Sequence, residues 1–453
     1  MPVEPRSQVQ LLSEIRPPEM LQPEVDLLVF NAGELVTMAG GPRRGAALKD
    51  PKVIKGGALA AHQGEIVDVG TTEKVLARVQ TGPATRMVDA RGRAVIPGFV
   101  DPHTHLCFAG DRAEEFAMRL GGATYQEIAQ AGGGILSTVT ATRQATEHDL
   151  TEAGLKRLDQ LALAGTTTVE IKSGYGLTTA DELKQLRAIR EMRKQHALDI
   201  VATFMGAHEV PPEYRENREG YIRLLCEEML PLVAAEQRSQ EGALAAFCDV
   251  FTEKGVFSVA ESRQILQRAK QVGLGVKVHA DELSNLGGAA LAAEVGATSA
   301  DHLLFASDEN LEAMARAGTV AVCLPGTAFC LMNVPYANAR RMVDLGLTVA
   351  LASDFNPGSC PAYAMPFMIT LACMHMKLDP SEALAAATIN AAAAIDRHRR
   401  VGSLEPGKQA DLVILDAPTH RHIPYRMGMG VVATVIKRGR VLVDEGRLLR
   451  RYN

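Results

Sequence analysis

Between residues 97 and 354 two hydrophobic patterns take turns along the chain. Short runs of apolar and β-branched residues read as buried strands, and the longer stretches between them carry apolar residues at every third or fourth position, as amphipathic helices do. Five of the changes from helix to strand fall on a glycine: Gly165, Gly273, Gly296, Gly318 and Gly346 precede apolar runs at 166–172, 274–279, 297–302, 319–324 and 347–354. A glycine there predicts a left-handed helix C-cap that feeds a strand. With runs at 97–105, 199–206 and 247–252 the count reaches eight. The helices carry signals of their own, such as the capping box from Ser258 to Glu261 ahead of Ile265, Leu266, Ala269 and Val272, and the spacing of Leu183, Leu186 and Ile189. Eight strands separated by helices predict a closed (β/α)8 TIM-like barrel over 97–403. An open doubly wound sheet is disfavoured, because neither a G-x-G-x-x-G turn nor a Walker lysine motif is present.

The two ends follow a different pattern. Short strands broken by glycine turns are predicted near 26–33, 57–70 and 86–95, and again at 410–416 and 431–443. Segments 26–96 and 404–453 are therefore expected to build one small β-sandwich domain, with the barrel inserted between them. Residues 1–25, rich in Pro and Glu, read as a flexible leader and lack the basic start and apolar core of a signal peptide.

Composition narrows the function classes. A chain of 453 residues has room for a barrel of about 250 residues and a second small domain. At 47% hydrophobic and 22% charged residues it is globular, and a net charge of -5 offers no basic surface for nucleic acid. No apolar run approaches the length of about 18 residues that a membrane span needs. The seven cysteines are scattered and include no C-x-x-C pair, so a reducing cytoplasm is expected, with neither a disulfide framework nor a cysteine zinc site.

Candidate chemistry gathers at the predicted strand ends, where barrels keep their active sites. The first strand ends in His103 and His105, two residues apart and so on one face. The fifth ends in His279 with Glu282 beyond it, the sixth in Asp301 and His302, and the eighth in Ser353 and Asp354. Three histidines with Asp354 would make a nitrogen and oxygen site suited to Zn(II) or Fe, with a position left for water. Lys172 lies at the end of the second strand and the fourth offers no lysine at its end, so a single metal is expected. Gly132, Gly133 and Gly134 read as a mobile loop, since no lysine follows to cradle phosphate. The other seven histidines, apart from His208, lie in helical, turn or distal segments and are taken as structural or surface residues.

Taken together, the stretch from Pro97 to His105, His279, His302, Ser353-Asp354 and the tail around Leu404–Ile414 resemble the amidohydrolase superfamily. Within it, the stretches 103–112, 170–176, 206–211, 279–282 and 353–359 are similar to the imidazolonepropionase family of histidine degradation. The resemblance implies that His103, His105, His279 and Asp354 bind one Zn(2+) or Fe ion per subunit. It implies substrate contacts from Arg112, Tyr175, His208, Glu282, Asn356, Gly358 and Ser359. The implied reaction opens the lactam C–N bond of 4-imidazolone-5-propanoate to give N-formimidoyl-L-glutamate. Arg112 offers a planar fork and Tyr175 a hydroxyl for the substrate's carboxylate tail. Glu282, His302 and Asp354 are the expected catalytic groups: His302 with Asp354 takes the water's proton, Glu282 delivers one to the departing ring nitrogen, and His208 orients the ring or polarises its carbonyl. A homodimer is expected by family analogy. Two other readings remain open, a deaminase of a cytosine-like or guanine-like ring and a non-catalytic barrel scaffold. The family pattern is departed from in the Pro/Glu-rich leader and in a polar stretch at 235–242.

Overall fold

The computed structural model describes residues 24–123, 127, 132–236, 242–332 and 334–449. Most of the expected leader and the centre of the polar stretch at 235–242 lie outside them. The strands form two sheets. The first takes β1 (Leu27–Val36), β2 (Val53–His62), β3 (Glu65–Thr71), β4 (Arg86–Asp89) and β5 (Ala94–Pro97) from one end of the chain. The other end supplies β14 (Leu412–Leu415), β15 (Val432–Lys437), β16 (Arg440–Asp444) and β17 (Arg447–Leu448). Its order is β17-β16-β15-β14-β5-β1-β2-β3, with β4 beside β1. The two ends of the chain meet where β14 runs antiparallel to β5, Leu412 opposite Pro97 and Ile414 opposite Val95. The far edge curls back as well: the Ile66 N–H donates to Lys408 O (2.8 Å), so β3 lies beside the segment that leads into β14. Leu27, Val29, Leu35, Leu59, Leu412, Ile414 and Ile436 form a buried cluster on this sheet, which is one continuous sheet of nine strands where a sandwich of two was expected.

The second sheet is the barrel. It consists of β6 (Phe99–Asp101), β7 (Thr166–Lys172), β8 (Asp199–Ala207), β9 (Phe247–Thr252), β10 (Gly275–Ala280), β11 (Ser299–His302), β12 (Val320–Cys323) and β13 (Val349–Leu351), each parallel to the next. The five glycines at the helix ends all have positive φ, from 63° to 93°, as left-handed caps require. The Ser258–Glu261 capping box is formed, and Ile265, Leu266 and Ala269 of its helix are buried.

The first predicted strand is divided. Instead of one run over 97–105, β5 ends in one sheet at Pro97, β6 begins in the other at Phe99, and Gly98 makes the crossing. A β-carbon at Gly98 would sit 2.3 Å from Thr167 Oγ1, so the close approach of the two sheets excludes a side chain. Beyond Asp101 the chain stays extended and closes the barrel. Asp354 N–H donates to His103 O (3.1 Å) and His105 N–H to Phe355 O (2.9 Å), with Thr104 bridged to Phe355. Lower down, β6 and β13 each bond to the segment around the helix Ile389–Ala394: Val100 N–H to Ala387 O (3.0 Å) and Asn390 Nδ2 to Val349 O (2.8 Å). The upper half of the barrel's seam is thus made by the histidine segment itself.

Candidate metal centre and active site

Thr104 faces away from its two neighbours and donates its hydroxyl to Glu170 O (2.7 Å), which leaves His103 and His105 pointing into the barrel. There they meet His279, at the end of β10, and Asp354, just past β13. His279 Nε2 lies 3.3 Å from His105 Nε2, and Asp354 Oδ1 lies 3.4 Å from His103 Nε2 and 3.6 Å from His105 Nε2. All four are buried.

The partners on the far sides of the rings decide what these atoms can be. His103 Nδ1 is 2.6 Å from Asp301 Oδ2 and so carries the proton, leaving a bare lone pair on Nε2 aimed at the Asp354 carboxylate. His279 Nδ1 faces Asp249 Oδ1 at 3.1 Å, off the axis of an ideal hydrogen bond, and that again favours a bare Nε2. His103 Nε2 and His105 Nδ1 are buried with no hydrogen-bond partner among the described residues. Lone pairs and a carboxylate converging on one point repel each other unless a cation sits between them, so the donor set fits a metal ion. Asp354 is held from behind by the Thr327 hydroxyl (2.6 Å). Asp354 and His302 both have left-handed backbones, with φ of 54° and 79°, strain of the kind found where a fold is shaped around a site.

A cavity of about 510 Å3 opens above this cluster. Its wall includes each substrate contact that the sequence pointed to: Arg112, Tyr175, His208, Glu282, Asn356, Gly358 and Ser359, together with His302. A larger cavity of about 930 Å3, at Asp26, Gln63, Arg86 and Arg438 in the first sheet, shares no residue with the cluster. His208 stacks on His105, with ring centroids 4.8 Å apart, and donates from Nδ1 to Gly174 O (3.0 Å). Burial, reinforced by His279, pushes its pKa down to about 3, so the ring is neutral and presents an acceptor at Nε2. That atom can receive a ring N–H, whereas polarising a carbonyl would need a donor. Glu282 lies 3.6 Å from His302 Nε2, and burial, with Asp354 and Glu253 adding repulsion, raises its pKa to about 8. Neither nitrogen of His302 has a hydrogen-bond partner among the described residues. Asn356 spends its amide on its own loop: Nδ2 donates to Asp354 O (2.7 Å) and Ser359 Oγ (2.8 Å), while Oδ1 accepts from the N–H groups of Gly358 (2.9 Å) and Ser359 (2.7 Å). At Gly358 a β-carbon would lie 2.0 Å from Arg112 Nη1, so the loop can approach the guanidinium only because it has glycine there.

The amidohydrolase family profile matches residues 94–442. The chain belongs to the amidohydrolase family. It is 74% identical to the imidazolonepropionase of Symbiobacterium thermophilum over 94% of this chain and 99% of that one. It is 48% identical to the imidazolonepropionase of Alkaliphilus metalliredigens over 94% of this chain and all of that one. Among solved structures, a zinc-bound adenosine deaminase from Xanthomonas campestris superposes with a TM-score of 0.70 at 19% identity, covering 94% of this chain and 95% of that one. At that identity the likeness speaks for the fold.

Beneath the ligands this amidohydrolase carries an ionic layer that the sequence reading did not assemble. Lys172, read there only as a second-metal candidate, is fully buried with Nζ 2.8 Å from both Glu170 and Asp249. Burial alone would lower its pKa, but the carboxylates of Asp249, Glu170 and Asp301 override that and raise it. Lys277, equally buried, donates to Pro102 O (2.7 Å) and lies 3.7 Å from Asp301. The signal was available: Lys277 stands two residues before His279 on one strand, and so on the same inward face. Glu115, which grips Arg112, and Thr327 behind Asp354 were missed too: the i,i+3 spacing of Arg112 and Glu115 was the available signal for the first, whereas Thr327 meets Asp354 only in the folded chain.

Proposed function

We propose that this amidohydrolase hydrolyses the lactam C–N bond of 4-imidazolone-5-propanoate to N-formimidoyl-L-glutamate, with His103, His105, His279 and Asp354 holding one Zn(2+) or Fe ion. The observation that carries the reading is that His105, His279 and Asp354 of this buried donor set open on the same cavity as an arginine-lined wall suited to a carboxylate tail. When bound, the cation supplies Lewis-acid polarisation and acidifies water.

The chain's own groups divide the rest. Arg112 takes the tail with a neutral hydrogen bond from the Tyr175 hydroxyl, while neutral His208 holds the ring by accepting a ring N–H. Asp354 and His302 receive the proton that water loses as its oxygen attacks the lactam carbon. Glu282, protonated at neutral pH, delivers a proton to the ring nitrogen as the C–N bond breaks. Water's oxygen and one proton thus end on the carboxyl group, and the other proton is returned through these side chains to nitrogen. The seven cysteines are free thiols, which supports a cytoplasmic setting, and we take the assembly to be a homodimer by analogy.

The test is to supply imidazolone propanoate to metal-loaded protein and follow loss of the ring's absorbance, product and ammonia. Formimidoyl-glutamate without ammonia is expected; no loss of ring absorbance with metal-loaded protein would favour the deaminase reading. Glu282→Gln should keep its metal and lose turnover by about 10²–10⁴-fold, and wild-type turnover should fall as pH rises past about 8, where Glu282 gives up its proton. Near-normal turnover of the Gln variant would remove Glu282 from the proton path.

A further inference from the structure

We infer that Arg119 is a second binding residue for the substrate's carboxylate, completing with Arg112 a site of net charge +1 built around Glu115. The inference rests on the substrate proposed above. The three residues belong to one short element: Arg112 is the N-cap of the helix Ala113–Leu120, Glu115 follows three residues later and Arg119 four after that, so all three share a face.

Glu115 joins the two arginines. Its Oε2 accepts from Arg112 Nε (2.8 Å) and from the Gly134 N–H (2.8 Å), and its Oε1 accepts from Arg112 Nη2 and from Arg119 Nη2 (3.2 Å). Arg119 Nη2 also donates to Gly358 O (3.1 Å), in the loop that carries Ser359. That leaves Arg119 Nη1, which is buried and has no hydrogen-bond partner among the described residues. The residue lines the same cavity as Arg112, Gly358 and Ser359.

A buried guanidinium nitrogen without an acceptor is costly, and one on a residue that lines a cavity is poised to take its acceptor from what the cavity binds. The charge count points to the kind of ligand. Two guanidinium groups share one glutamate, which leaves one positive charge uncompensated, the match for a monocarboxylate. If Arg119 were only a brace between Glu115 and the Gly358 loop, Nη2 alone would suffice.

The experiment compares wild type with Arg119→Met and Arg119→Lys, each metal-loaded, using 3-(imidazol-4-yl)propanoate and its uncharged carboxamide as stable ligands. Binding is read by calorimetry alongside metal content and thermal midpoint. In the Met variant the acid should bind about 10–100-fold more weakly, as expected for loss of one charge-assisted hydrogen bond, while the amide is unchanged within about twofold. KM for imidazolone propanoate should rise by a similar factor with kcat nearly constant. Equal weakening of acid and amide would mark Arg119 as a brace and overturn the inference, as would no weakening of either. Should the Met variant fail to fold, the Lys variant decides: an acid-to-amide preference about threefold or more below wild type supports the role, and an unchanged preference overturns it. Wild-type turnover of imidazolone propanoate tests the substrate reading separately, since the acid-to-amide ratio is measured without turnover.

Discussion

The ligand layer and the ionic layer beneath it meet on one strand, β10, yet they are built to opposite ends. On β10, Lys277 belongs to the lower layer and His279, two residues on, to the upper. In the lower layer Lys172 is bracketed by two carboxylates at 2.8 Å, and Asp301 accepts from the Ser299 hydroxyl (2.6 Å) while facing His103. In the upper layer the ring nitrogens face one another or an anion, and His103 Nε2 has no hydrogen-bond partner among the described residues. A buried polar group without a partner marks where something else must bind, whereas paired buried groups fix the geometry for it. Barrel interiors are ordinarily filled by apolar side chains, and the ions here replace part of that filling in order to orient the imidazoles.

The contrast can be broken by experiment. The largest effect is expected in the upper layer: His105→Ala should lose its metal by elemental analysis and turnover by about 10³-fold or more, with little change in the stability of metal-free protein. Retention of metal would show that the layer's open valences serve some other purpose. In the lower layer Lys172→Met strands Glu170 and Asp249 against each other and should cost about 3–5 kcal/mol in denaturant unfolding. A loss under about 1 kcal/mol would mean that the layer is not held by its ion pairs. The smallest effect falls at the junction of the two layers. Asp301→Asn keeps an acceptor for His103 Nδ1 but removes the charge, and metal affinity measured by chelator competition should fall about 10–100-fold. An unchanged affinity would uncouple the layers.

Much of this was legible in the sequence because it is local. Eight apolar runs, the glycines at the helix ends and the inward pair His103 and His105 follow from periodicity and backbone sterics, which neighbouring residues decide. The resemblance in the strand-end motifs added the expected ligands and substrate contacts, and the fold brings all of them but His103 to the wall of a single cavity, with His103 packed beside His105 and His279. The division of the first strand at Gly98 was not legible, because the run reads as continuous until two sheets compete for it. Nor was the use of each polar group: Asn356 is spent on its own loop, and Arg119 looks in sequence like any helical surface arginine.

By itself, then, the chain determined where the apolar runs lie and which residues within each share a face, since these depend on spacing alone. Only the tertiary structure decided which nitrogen of His103 and of His208 is bare, which lysines vanish into the barrel and which guanidinium is left with a nitrogen to spare. Those properties belong to pairs of residues as far apart as His103 and Asp301, and a pair acquires its hydrogen bond, its charge balance and its burial only when the fold brings both members together.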